Sequence, residues 1–353
     1  MKTRSKNAGQ TVLLIVVFIV TLLIVFSVRG QKIVEIEQTV VERSRLKRAA
    51  ENAFQNITQK AIWLLENDAR LEEEATESDP NATPFDSFFD KWSKTGPETP
   101  HHEGNIIVRW NIVDAHAYFN INSLLTGEIV NETSREKFQL FLEHLQIKDA
   151  DKLTASLADW IDAAPSEEAK QLSPFDSNFY EQNAKNGPLL TLSELQMVPG
   201  FTKDILWGDG EDIKYGLYSC LTVAPISRLN ANSVPAHVML LLDPSITPTI
   251  ASRVEGGRNS SAYESIAEVT TASGLPAESP INNLFTVHSD YFFLELEADY
   301  QGEYREKKRI LLLRQGKAVT VQYIESPGLF EWDEKLREKM DESVKILIES
   351  ISE

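Results

Sequence analysis

From Thr11 to Val28 the chain reads TVLLIVVFIVTLLIVFSV, eighteen positions without a charge, a glycine or a proline. At a rise of about 1.5 Å per residue, such a helix is about 27 Å long, close to the hydrocarbon thickness of a bilayer. The apolar pattern continues beyond it in a different form. No proline or glycine occurs between Gln31 and Asp79, and Ile33, Ile36, Val40, Leu46, Ala50, Phe54, Ile57, Ala61 and Leu65 recur at steps of three, four or six. This is helical periodicity, so one helix is predicted from the membrane run to about Asn67, with Gly30 as its soft point. Asp68 to Gly104 is polar, acidic and proline-containing, and reads as a surface connection. Within it the aromatic island Pro84 to Trp92 is expected to dock back on the body. Asn105–Asp114 reads as one or two strands.

The middle of the chain reads as short helices, at Ser134–Leu145, Ala150–Ala163, Pro235–Leu242 and Thr247–Val254. A weak duplication runs through it. Phe119-Asn120-Ile121-Asn122-Ser123 reappears as Leu229-Asn230-Ala231-Asn232-Ser233, each placed where Asn or Ser would cap a helix. Leu190 to Phe201 resembles half of a helix-hairpin-helix. Strands return at Leu284–Asp299, Arg309–Arg314 and Ala318–Ile324, expected to pair antiparallel through polar turns. Trp332 to Ile351 reads as an amphipathic helix. The expected fold class is therefore α+β: a long N-terminal transmembrane and amphipathic helix, an antiparallel sheet, and a large inserted all-α domain of helix-hairpin-helix or SAM-like kind.

Charge and candidate chemistry narrow the function. The formal net charge is −18, which opposes a nucleic-acid role because phosphate binding needs Lys and Arg. The hairpin at Val198-Pro199-Gly200-Phe201 has one glycine and acidic neighbours, so it reads as a packing unit. The single cysteine, Cys220, cannot form an intrachain disulfide and reads as a small buried hydrophobe. The six histidines are scattered, and no metalloprotease, nucleophile-elbow or phosphate-loop motif occurs. The chain therefore reads as non-enzymatic. Calcium is the one metal considered, because carboxylates in loops are its ligands. The candidates are Asp162, Glu167, Glu168 and Asp176, with Asp209, Glu211 and Asp212 as a second group.

Lys2, Arg4 and Lys6 followed by Asn7-Ala8-Gly9 place a basic leader and a small residue before the apolar run, so cleavage is expected between Gly9 and Gln10. The same charges favour a cytoplasmic N-terminus, Arg29 and Lys32 follow on the other side, and the very short N-terminal tail with its large folded remainder tips the orientation toward translocation of the C-terminal body. Leader, uninterrupted helix, amphipathic extension and C-terminal sheet together resemble the type IV pilin-like superfamily. Within it, the chain is similar to the minor pseudopilin K family of type II secretion. Leu14 stands at the fifth position after Gly9, where most pilins have glutamate and this family does not. Phe85-Asp86-Ser87 to Trp92, Asn111 to Asp114, both Asn-x-Asn elements, Ala158-Asp159-Trp160-Ile161-Asp162 and Thr191 to Leu195 with Pro199-Gly200 follow the order of the family's motifs. Gln10 departs from the hydrophobic residue usual at the mature N-terminus, so its methylation stays open.

The resemblance implies a minor pseudopilin at the tip of a short filament, assisting its assembly and protein export across the outer membrane. Leu14 would mark the tip, where no neighbour's amino terminus needs a carboxylate partner. The stripe Ile33, Ile36, Val40, Leu46, Phe54, Ile57 and Leu65 would pack subunits together. Implied partners are the I- and J-type minor pseudopilins, the major pseudopilin and the inner membrane, with secreted proteins as further candidates. The expected segments are a leader (1–9), the transmembrane and pilin helix (10–67), a linker with first strands (68–118), an inserted helical domain (119–228), a second small helical domain (229–283), the C-terminal sheet (284–325) and a C-terminal helix (326–353). Two other readings remain open: a minor pilin of a type IV pilus or DNA-uptake system, and a signal-anchored periplasmic binding protein.

Overall fold

The computed structural model describes residues 5–79, 82–95, 100–163, 184–208, 210, 213–300 and 304–325. Helix α1 spans Ser5–Ser78. After it come β1 (His101–Glu103), β2 (Ile106–Asp114), β3 (Phe119–Asn120), β4 (Leu125–Thr126) and β5 (Ile129–Val130). The helical middle holds α2 (Glu132–His144), α3 (Ala150–Ile161), α4 (Lys203–Trp207), α5 (Ala236–Met239), α6 (Pro248–Gly257) and α7 (Ile266–Ser273). Short strands β6 (Leu221–Thr222), β7 (Leu229–Asn230) and β8 (Phe285–Thr286) run among them, and β9 (Tyr291–Tyr300), β10 (Tyr304–Gln315) and β11 (Ala318–Glu325) complete the chain's main sheet. The predicted helix over Trp332–Ile351 lies outside the described residues.

The sheet order is β1-β2-β9-β10-β11, antiparallel throughout. Its alternation explains its place. In β2 the buried positions are Ile106, Val108, Trp110, Ile112 and Asp114, every second residue, as one covered face requires. Phe292, Leu294, Leu296, Ala298, Ile310 and Leu312 lie in the same core and meet Ala50, Phe54, Ile57, Ala61 and Leu65 of α1. Trp92 from the strap before β1 closes this core, with its ring edge-on to Phe292 at 5.0 Å. The aromatic island thus docks, although Phe88 and Phe89 remain exposed.

Helix α1 runs past the expected end near Asn67. Asp68 to Ser78, read from composition as a connection, is helical, because side chains of the sheet hold these turns from a distance: Arg314 meets Asp68 at 3.2 Å, and Lys317 pairs with Glu73.

Everything between β2 and β9, two neighbouring strands, belongs to the insertion. Its core runs without a break from Ala115 and Phe138 through Leu195 and Cys220 to Val254 and Phe285, so the segments before and after residue 228 share one apolar interior. Gly200, at φ +89°, turns the hairpin so closely against α3 that an added Cβ would lie 2.9 Å from Leu153. Val198 and Phe201 on either side are buried, as a packing hairpin requires. Cys220 is buried as well, and burial pushes its thiol up to about 12.

The duplicated Asn-x-Asn elements fold alike. Asn120 Oδ1 accepts from the Asn122 amide at 3.0 Å, and Asn230 Oδ1 from the Asn232 amide at 2.9 Å. Each second asparagine then clasps a distant backbone residue with both ends of its amide. Asn122 takes the N–H of Leu189 and donates to its carbonyl, both at 2.8 Å. Asn232 does the same to Tyr263, at 2.7 and 2.9 Å. A local cap therefore describes only the first asparagine of each pair. Asn232 is buried and Asn122 half-buried. Asn232→Ala leaves two buried backbone groups unpaired and is expected to cost about 2–3 kcal/mol, against about 1 kcal/mol for Asn122→Ala, read by denaturant unfolding of the two variants.

Candidate functional site: an uncovered stem and its junction with the head

Among the described residues one helix is long and apolar enough to cross a membrane, and it is α1. Gly9 and Gln10, the expected cleavage pair, lie in its backbone near the start. Leu14 is 70% exposed, as a lipid-facing residue would be.

Beyond the membrane run the predicted stripe divides. Phe54, Ile57 and Leu65 are buried and Leu46 is half-buried, all against the chain's own sheet. Ile33, Ile36 and Val40 are 57%, 63% and 57% exposed. Ile36 and Phe54 are eighteen residues apart, about five helical turns, so they share one face. The upper stripe thus has an intramolecular partner, which the single-stripe assignment to subunit packing did not foresee. The lower stripe lies on the same face, below the sheet, with nothing over it among the described residues. Val34 and Val41 are exposed on another side. There a groove of about 700 Å³ opens between the stem and the β1–β2 turn, lined by Val34, Val41, Leu46, Gly104, Ile106 and Tyr300.

At the far end of the head, stem, sheet and insertion meet in a buried polar cluster. Arg314 enters from β10 and is almost wholly buried. Its guanidinium donates to Asp86 Oδ2 at 2.5 Å, to the Ser289 carbonyl at 2.8 Å and to Asp68 Oδ2 at 3.2 Å. It also lies 5.0 Å from the centre of the Phe292 ring. Asp86 Oδ2 accepts in addition from the Ser289 amide at 2.7 Å, and His288 Nδ1 lies 3.0 Å from it. Burial opposes the Asp86 charge, but the charge of Arg314 and the bond from His288 outweigh it and hold its carboxyl below the usual range. Beside it, Asp114 Oδ2 accepts from Ser233 Oγ at 2.6 Å, Ser289 Oγ at 2.8 Å and Asn230 Nδ2 at 3.0 Å. Asn230 Nδ2 also reaches the Asp86 carbonyl at 3.1 Å. This cluster joins α1, the strap, the second Asn-x-Asn element, β2 and β10.

Two sets of side chains here bring ligand-type atoms within 4.8 Å of one another: Glu72, Asp86 and His288, and Asp68, Asp86 and Asp90. The guanidinium of Arg314 already provides the positive charge among them, so the arrangement is that of a buried ion-pair network. As to the expected calcium site, Asp162 is buried and its Oδ2 accepts from the Val130 amide at 3.0 Å, which ties the end of α3 to β5. Glu167, Glu168 and Asp176 lie outside the described residues, as do Asp209, Glu211 and Asp212. The junction around Arg314 was not singled out from the sequence. The available signal was an arginine closing the apolar run Leu311-Leu312-Leu313 and an aspartate between Phe85 and Phe88.

Comparison with known proteins gives consistent results. A family model described as type II secretion system (T2SS), protein K, first part, matches residues 117–207, within the insertion. A protein named type II secretion system protein K, from Pectobacterium carotovorum subsp. carotovorum, is 25% identical over 341 residues, covering 91% of this chain and 96% of that one. Among solved structures, a chain of the GspK-GspI-GspJ complex from the enterotoxigenic Escherichia coli type 2 secretion system superposes with a TM-score of 0.52. That match has 18% identity and covers 78% of this chain and 98% of the other, a likeness of fold.

Proposed function

We propose, from the premise that this chain belongs to the type II secretion system protein K family, that it is a minor pseudopilin whose stem packs against kindred helices and whose head ends the filament. The observation that carries this reading is the divided stripe of α1. Above Leu46 it is covered by the chain's own sheet, and at Ile33, Ile36 and Val40 it is bare. These three residues lie beyond the membrane run that ends at Val28, so lipid does not account for them. A row of large apolar side chains at helical spacing in water is a surface for another helix. The structural neighbour was solved as a complex of three such proteins, and we take the counterparts of its other two members as the partners here.

Leu14 supports the terminal position. A subunit without a carboxylate there cannot neutralise a neighbour's amino terminus, so it fits where no such neighbour follows. A single-pass anchor with a cytoplasmic N-terminus and a periplasmic head completes the reading, with processing after Gly9 releasing the stem for assembly.

The test is Ile36→Asp combined with Val40→Asp in the full-length chain. Burying a charge in a helix contact is costly. Incorporation, read by crosslinking to partner pseudopilins in cells, is expected to fall at least tenfold, while the melting temperature of the head stays within about 2 °C, because neither residue touches the head's core. Unchanged crosslinking would overturn the stripe as the contact surface, and an unaltered chain that gives no crosslink to partner pseudopilins would favour an anchor that never assembles. Mass spectrometry of the mature N-terminus should find it at Gln10.

A further inference from the structure

Asp68 and Glu72 stand one turn apart near the end of α1, and both face Arg314, at 3.2 and 3.8 Å. The charged groups around them come from four elements. Asp68 and Glu72 belong to α1, Asp86 and Asp90 to the strap, His288 to the segment before β9, and Arg314 to β10. Of the neighbouring charges, Lys317 pairs with Glu73 outside the cluster, whereas Asp290 meets the outer nitrogen of His288 at 3.6 Å. Among the described residues, five carboxylates, Asp290 on the outer side, therefore share one guanidinium and one imidazole.

The hydrogen bonds show the same surplus. Arg314 donates to Asp68, Asp86 and the Ser289 carbonyl. Glu72 Oε1 and Asp86 Oδ1 are buried and have no hydrogen-bond partner among the described residues. Oxygens of these two carboxyl groups lie within 4.8 Å of each other. Two buried acceptors without a donor are unfavourable, and two negative charges more so. One proton relieves both, because a protonated carboxyl becomes a donor and loses its charge. We propose that the last turns of α1 are held on the sheet by a proton-dependent latch, in which Glu72, backed by Asp68, keeps a proton while docked beside Arg314 and releases it when those turns lift away.

The direction of each titration agrees. Burial, and then the charge of Asp86, pushes Glu72 up to about 8. Burial, and then Asp86 and Asp90, pushes Asp68 up to about 7. For His288, burial acts downward, but the hydrogen bond and charge of Asp86 outweigh it and raise it. The docked state thus binds protons that an unfolded chain, with carboxyls near about 4, has already lost. Latch stability is complete below about pH 4 and is lost as the pH rises toward 7 to 8. Asp86 works the other way, and its contribution disappears only on acidification below about pH 4. The latch does not depend on which filament the chain joins.

The test uses the full-length chain in detergent, followed by amide hydrogen exchange between pH 5.5 and 8.5 and corrected for intrinsic base catalysis. Exchange in residues 66–78 is expected to rise about tenfold over this range while residues 50–61 stay constant. In Glu72→Gln the rise should shrink to about twofold or less, since a neutral amide mimics the protonated carboxyl. A wild-type profile flat with pH, or a Glu72→Gln profile that keeps the full rise, would refute the latch. Should Glu72→Gln not fold, the carboxyl carbon of Glu72 in the unaltered chain decides by nuclear magnetic resonance. A midpoint near 8 supports the latch, and one near the ordinary glutamate value overturns it.

Discussion

Arg314→Met is expected to destabilise the head by about 3–5 kcal/mol at pH 7. The guanidinium is the cation shared by Asp68, Glu72 and Asp86, and it is almost wholly buried. Methionine fills much of the volume but leaves the buried Asp86 charged and without its main counterion. The loss should be smaller at pH 4, where the stranded carboxyls can take up protons, and larger at pH 8. That pH trend separates lost charge pairing from lost packing, which would be independent of pH. Urea unfolding of the full-length chain at the three pH values checks it. Adding Asp86→Asn to Arg314→Met should recover part of the loss, since the uncompensated charge is then absent.

Phe292→Ala is expected to cost about 3–5 kcal/mol, with little dependence on pH. Phe292 is fully buried, packs edge-to-face with Trp92, and lies beneath the Arg314 guanidinium. Removing the ring leaves a cavity among α1, the strap and β9 that rigid neighbours cannot close. The strap should loosen with it, so Trp92 fluorescence should respond well before global unfolding in a denaturant titration. A loss below about 1 kcal/mol would mean that the core repacks around the gap. Similar urea profiles for Phe292→Ala at pH 4 and 8, beside diverging ones for Arg314→Met, would distinguish apolar from ionic contributions to the same junction.

The sequence showed most clearly those parts whose physics is local. Eighteen uncharged residues without glycine or proline can hardly be anything except a membrane helix or a buried one. The alternation in Ile106-Ile107-Val108-Arg109-Trp110 marks a strand with one covered face, and its buried positions match that pattern. The ends of helices were visible to within a few residues where caps were present: Asn131 accepts from the Ser134 amide at 3.0 Å and starts α2. What stayed hidden depends on contacts between distant residues. Asp68 to Ser78 is acidic and reads as a loop; it is helical because Arg314, 246 residues from Asp68, holds it. The pairing of Asp86 with Arg314 spans 228 residues, and no periodicity reports it. The division of the α1 stripe into a self-covered half and a bare half was hidden for the same reason, since the spacing of apolar residues does not say which surface covers them.

The insertion has a geometric consequence. Its two leads leave β2 at Asp114 and return to β9 at Tyr291, and these strands are direct neighbours with Asp114 opposite Phe292. To the rest of the molecule the whole insertion therefore imposes the boundary conditions of a tight hairpin loop. It can lengthen, shrink or be exchanged without re-registering a single ladder bond of the sheet. Stem geometry and head size can accordingly vary independently: relatives in which the region between these leads differs greatly in length should still superpose closely along α1 and the five strands.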